Sequence, residues 1–279
     1  MGSSATHRGD PRAAVSLPAA VGAPRAAYTP AVSSREDWQR RLGPLYGGAV
    51  ALVHSTPWRW PTEVSDDDRS AGWVVALGVP IGLFAWAIAA LAHAAGIPAP
   101  LAAILGLAML SVGGAALIER GLVERIDHWH GQARADRAAT ATAVLALVLV
   151  TVVRAGAVAL VGPGHWLLLF LATAVAGRWA AILLQALGDP IPQLDGRRSL
   201  VATPAPAWLT AAISGGVAVL VILSLGKAGI VALALGALAA FGFGLEAQRR
   251  DGGLSAPVVA FTAAVAELLV LLIATIAFA

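Results

Sequence analysis

Seven stretches of the chain are almost continuously apolar, and polar residues are concentrated between them. The stretches run over 73–95, 99–118, 138–161, 166–187, 208–225, 228–245 and 257–278. Most reach the ~20 residues that a helix needs to cross a ~30 Å hydrocarbon core. The pattern predicts an all-α fold, a polytopic transmembrane bundle of six to seven spans. The fifth and sixth stretches are shorter, with Gly226-Lys227 as the turn between them, and are expected to be tilted or broken helices. The densest group of ionisable residues between the first and last spans is Glu119 to His130, directly after the second apolar stretch. On a helix that simply continues, Arg120, Glu124 and Asp127 fall at i, i+4 and i+7, on one face.

Composition agrees with this pattern. The chain of 279 residues is 58% hydrophobic and 13% charged, against about 25% charged in a soluble domain. It has no cysteine, so disulfides and thiolate metal sites are excluded. Residues 1–45, rich in Ala, Pro, Ser and Arg, are expected to form a disordered cytoplasmic tail. Residues 46–72 are expected to be an interfacial segment and 73–279 the transmembrane domain. Trp38, Trp58 and Trp60, with Arg40, Arg41 and Arg59, fit an interfacial anchor in contact with the lipid bilayer. The run Asp66-Asp67-Asp68-Arg69 suits a solvated approach to the first span.

Charge asymmetry sets an expected orientation. Eight arginines lie before the first span, four in the loop after the second, two after the fourth and two after the sixth, whereas the opposite loops hold only Lys227. The positive-inside rule then places the amino terminus and the loops 119–137, 188–207 and 246–256 on the cytoplasmic side. The formal charge of +3 is accounted for by these loops, so no nucleic acid is expected as a partner. Arg154, Arg178 and Glu267 lie within spans, where a charge is costly and faces a partner or a wet cavity. Arg178 paired with Glu267 is expected, either ordering the bundle or meeting a ligand. Gly113-Gly114 and Gly215-Gly216 would allow close helix approach. Asp127-His128-Trp129-His130 makes a poor metal set, because two residues apart on a helix diverge by about 200°; an interfacial tryptophan with polar neighbours is the simpler account. Ser255 fits a helix cap, with Pro257 in the first turn.

The order of these features resembles the cobalamin synthase family, adenosylcobinamide-GDP ribazoletransferase, over roughly residues 50–279. Pro57-Trp58-Arg59-Trp60-Pro61 is similar to that family's proline-flanked approach, and Leu77-Gly78-Val79-Pro80-Ile81-Gly82 to its first-helix signature. The stretch Ala116 to Asp127 resembles its hallmark His-x-Asp-Gly-Leu-Ala-Asp-x-x-Asp. Asp195-Gly196 falls in a comparable middle loop. Gly252-Gly253-Leu254-Ser255-Ala256-Pro257 and then Glu267 resemble its Gly-Gly-x-Thr-Gly-Asp and the glutamate of its closing helix. The chain departs from the pattern at Ile118 for the histidine, Arg120 for the first aspartate, Glu124 for the second, His128 for the glycine after Asp127, and Pro257 for the last aspartate.

The resemblance implies a bacterial inner-membrane protein that joins α-ribazole, or its phosphate, to adenosylcobinamide-GDP and releases GMP in cobalamin biosynthesis. It implies Glu124, Asp127 and Glu119 as catalytic residues, with magnesium on Glu124 and Asp127. Arg120, Arg178, Gly252, Gly253 and Ser255 would bind substrate phosphate, and Arg154 and Glu267 would be intramembrane charges. Arg120, at i, i+4 from Glu124, would lie against that carboxylate and take the place of the ion. The alternative is therefore a catalytically inactive relative, a membrane scaffold or partner subunit, within a homo- or hetero-oligomer. The Asp-Gly-x-x-Ala-Arg spacing of CDP-alcohol phosphotransferases is absent, and no internal repeat supports a transporter.

Overall fold

A computed structural model of the chain describes residues 35–58, 70–131, 138–188, 191, 200 and 205–278. The described residues are helical: α1 (Arg35–Leu42), α2 (Tyr46–Ser55), α3 (Ser70–Ala76), α4 (Gly78–Ala94), α5 (Ala99–Gly113), α6 (Leu117–Trp129), α7 (Ala141–Leu160), α8 (Trp166–Leu187), α9 (Ala207–Leu225), α10 (Lys227–Asp251) and α11 (Ala256–Phe278). Six of the helical segments, with α3 and α4 taken together, are long and apolar enough to cross a membrane, or seven if the bent pair α5–α6 is one span. The chain is a multi-pass membrane protein by this measure. The fifth and sixth spans are unbroken helices, and α10 extends six residues beyond the expected 245, to Asp251.

One boundary differs from the expectation. Residues 35–45, assigned to the tail, form α1 and a short 3-10 turn at Gly43–Leu45. Although α1 has no apolar stripe, the chain continues from it into α2, which buries Tyr46, Val50 and Ala51 and packs against α3. The rest of the tail, Arg59, Trp60, the Asp66–Arg69 run and Asp195-Gly196 lie outside the described residues.

Helix α8 is the centre of the bundle, packed against α4, α9, α10 and α11. Its Ala172, Ala174, Ala176, Gly177, Ala180 and Ala181 are buried, and their small side chains let four helices approach at once. The outward faces of α7, α9 and α10 carry exposed Leu149, Val152, Leu223 and Leu238, as lipid contact requires. Close approach is sharpest where α6 crosses α11: a Cβ on Gly121 would fall 2.3 Å from the Cβ of Ala260. Gly113 also meets a neighbour, Ile81, but Gly215 and Gly216 face open space rather than a partner helix.

The second apolar stretch does not continue straight into the polar one. It ends at Gly113, and α6 leaves at 75° to α5. The turn is made by Ala115 (φ 55°) and Ala116 (φ 53°), both left-handed without being glycine. The amide of Ala116 donates to the carbonyl of Ser111 at 2.9 Å, closing the end of α5. From Leu117 the helix resumes with a 3.6-residue period, burying Leu117, Ile118, Gly121, Leu122, Arg125 and Ile126. Arg120, Glu124 and Asp127 therefore remain on one short helix, turned away from the span that precedes it.

Two substitutions test this packing by thermal unfolding in detergent. Gly121→Ala is expected to destabilise by about 1–3 kcal/mol, since the new methyl has no room to yield, whereas Gly215→Ala is expected to be neutral or slightly stabilising. Ala116→Gly is expected to stabilise by about 1 kcal/mol through relief of the left-handed alanine; no gain would mean that the bend carries no strain.

Candidate functional site

Four charged side chains from four helices meet inside the bundle. Arg154 of α7 reaches in two directions. Its Nη1 lies 2.9 Å from Oε1 of Glu119 on α6, and its Nη2 lies 2.6 Å from Oε2 of Glu267 on α11. The hydroxyl of Ser111, on α5, donates to the same Glu119 oxygen at 2.5 Å. Arg154 and Glu267 are 5% and 1% exposed, so this is a desolvated ion pair with a partner for each charge. Gly177 of α8 makes room for the glutamate: a Cβ there would fall 2.8 Å from Glu267 Oε1.

Arg178 follows directly on α8 and is also 1% exposed. Its Nη1 donates to the Ala174 carbonyl of its own helix at 3.1 Å. Its Nη2 lies 3.3 Å from the position a Cβ would take on Gly114, at the α5–α6 bend. The expected Arg178–Glu267 pair is therefore corrected: Arg154 makes the contact, because α7 brings its guanidinium between α6 and α11. Arg178 stands beside the same carboxylate as a second buried cation.

The outer face of α6 is organised differently. Arg120 Nε lies 2.6 Å from Glu124 Oε1, with both side chains about two-fifths exposed, so the expected guanidinium–carboxylate pair forms. Asp127 turns to the start of α7. Its Oδ1 accepts from the Thr140 hydroxyl at 2.6 Å and the Thr140 amide at 3.2 Å, while the Thr140 oxygen caps Ala143. Arg120 and Asp127 are thus not joined, although they share a helix face.

A third group was not anticipated from sequence. Arg125, 2% exposed, lies 2.6 Å from Asp251 and 3.4 Å from Glu246, both on α10. His128 Nε2 contacts the other Asp251 oxygen at 2.8 Å, and the indole of Trp129 donates to Glu246 at 2.8 Å. The ring of Trp129 stands edge-on to Phe261 and beneath the Arg125 guanidinium. The signal for Arg125 was present, since it lies four residues after Gly121 in the buried stripe. Its partners could not be read, because nothing local ties 125 to 246 and 251.

These contacts bring described residues of the polar connectors together. The end of α6 meets the end of α10, and the Ile191 amide donates to the Leu254 carbonyl at 2.8 Å. Gly252 ends α10 in a left-handed conformation, Gly253 is buried, and Ser255 immediately precedes α11 with its carbonyl accepting from Val259.

Among the described residues the donor set does not suit a resident magnesium ion. Glu124 is engaged by Arg120, Asp127 by Thr140, and Glu119 and Glu267 by Arg154. Among the described residues no three His, Asp or Glu side chains are grouped so that they could hold a metal. The sites' charges are met by guanidinium groups and hydroxyls of the chain itself.

A family model described as cobalamin-5-phosphate synthase matches residues 49–275. No curated protein and no solved structure shows significant similarity to the chain.

Burial separates the roles of the arginines. Arg125→Ala should destabilise by about 2 kcal/mol or more, because it removes a buried side chain and its charge-assisted bonds to Asp251 and Glu246. Arg120→Ala should cost under about 1 kcal/mol, as an exposed i, i+4 pair. Denaturation midpoints of the two variants check this, and equal losses would contradict it.

Proposed function

Because the chain belongs to the cobalamin-5-phosphate synthase family and so has a role in cobalamin biosynthesis, we propose that it joins α-ribazole, or its phosphate, to adenosylcobinamide-GDP with release of GMP. A hydroxyl of the ribazole attacks the phosphorus on the cobinamide side, and the bond between the two phosphates breaks as GMP departs. The observation that supports this reading is the position of α6. It carries the motif face, turns 75° out of its span, and lies where the polar connectors converge.

In this reading Arg120 does the electrostatic work at the diphosphate. It is the exposed cation of the motif face, and a guanidinium matches phosphate oxygens in a bidentate manner. Glu124 holds it in place, and Asp127 fixes the start of α7 through Thr140. The connectors would face the cytoplasm of a bacterial inner membrane, in keeping with their arginine content.

A second reading is favoured by one specific observation: both retained motif carboxylates are already engaged, Glu124 by Arg120 and Asp127 by Thr140. On that reading the chain is a catalytically silent relative that serves as a membrane scaffold or partner subunit.

Purified protein in nanodiscs, given adenosylcobinamide-GDP and α-ribazole, decides between them. GMP release in step with cobalamin formation is expected, and Arg120→Ala should reduce it by about tenfold, the value of one charge-assisted contact. Substrate binding without GMP release would contradict the transferase reading and favour the silent relative.

A further inference from the structure

We infer that Arg154 is a built-in cation occupying the position between Glu119 and Glu267 that a bridging divalent ion would need, so that the α6–α7–α11 junction is held without metal. The inference concerns this junction alone and is independent of the reaction proposed above.

The geometry is that of a bridging ion. Two carboxylates arrive from two helices, and a third helix supplies one charge that reaches both: 2.9 Å to Glu119 and 2.6 Å to Glu267. Ser111 adds a hydroxyl to the Glu119 oxygen, as a further neutral donor would complete an ion's surroundings. Buried charges must balance locally, and around the buried Glu267 and the half-buried Glu119 they do. Glu119 and Glu267 supply two negative charges; Arg154 and the adjacent Arg178 supply two positive ones.

A divalent ion and Arg154 exclude one another. Magnesium needs oxygens at about 2.1 Å, in the space where the guanidinium sits against the same oxygens. It would also leave the buried group with two excess positive charges in a low-dielectric interior. The space between the two carboxylates thus has an occupant of its own, the Arg154 guanidinium. Removing that occupant should expose its ion-like character, because two carboxylates and the Ser111 hydroxyl would surround an open space.

The test compares Mn2+ binding by electron paramagnetic resonance with thermal unfolding in detergent, using the full chain. Wild-type protein and Glu267→Gln should have identical Mn2+ isotherms, since Glu267 contributes no site while Arg154 is present. Arg154→Ala should unfold several degrees lower, gain a Mn2+ site, and recover much of the lost stability when Mn2+ is added. Arg154→Ala/Glu267→Gln should lose both the site and the recovery. A wild-type Mn2+ site that Glu267→Gln abolishes would overturn the inference, and so would an Arg154→Ala protein whose unfolding ignores Mn2+. If Arg154→Ala does not fold, the wild-type and Glu267→Gln comparison alone decides.

Discussion

The structure depends on one constraint: charges placed inside an apolar bundle must be neutralised where they stand. Arg154 meets it by reaching Glu119 on one side and Glu267 on the other. That single guanidinium ties α6 and α7, neighbours in the chain, to the distant α11. Gly177 and Gly121 permit the ties by letting α8 and α6 lie close against α11. Glu119 lies on α6, which leaves α5 at 75° through a turn at Ala115 and Ala116, at the cost of left-handed alanine. The turn in turn sets Arg120 and Glu124 outward, where the polar connectors gather.

The acidic face is therefore divided by depth. Inside, Glu119 and Glu267 share a buried cation. At the outer end of α6, Arg125 is clamped by two carboxylates of α10, with Trp129 packed beneath it. Between them, Arg120 and Glu124 form an exposed pair that costs little to open. Membership of the cobalamin-5-phosphate synthase family gives this face its chemical context. On it guanidinium groups stand within ion-pair distance of the carboxylates, Arg120 of Glu124 and Arg154 of Glu119 and Glu267.

Much of the fold was legible because membrane spans are written in long apolar runs. The helix α8 was read to the residue, and α7, α9 and α11 within a few residues. The bend was not legible: a run of apolar residues does not reveal a left-handed pair of alanines in its last turn. The Arg120–Glu124 contact followed from helical spacing alone, which is a local rule. The Arg154–Glu267 contact did not, because both arginines lay at plausible depth and only the packing of α7 against both α6 and α11 selects one. Asp127 shared a face with Glu124, but Thr140 competes for it as the start of α7 folds back. The clamp on Arg125 joins residues more than a hundred positions apart, beyond any local pattern.

Whether a side chain or an ion joins Glu119 and Glu267 can be seen in an experimental map. A cryo-electron microscopy reconstruction in nanodiscs at saturating magnesium should show planar guanidinium density between Glu119 and Glu267. Compact ion density at that point, with Arg154 displaced from both carboxylates, would contradict the account.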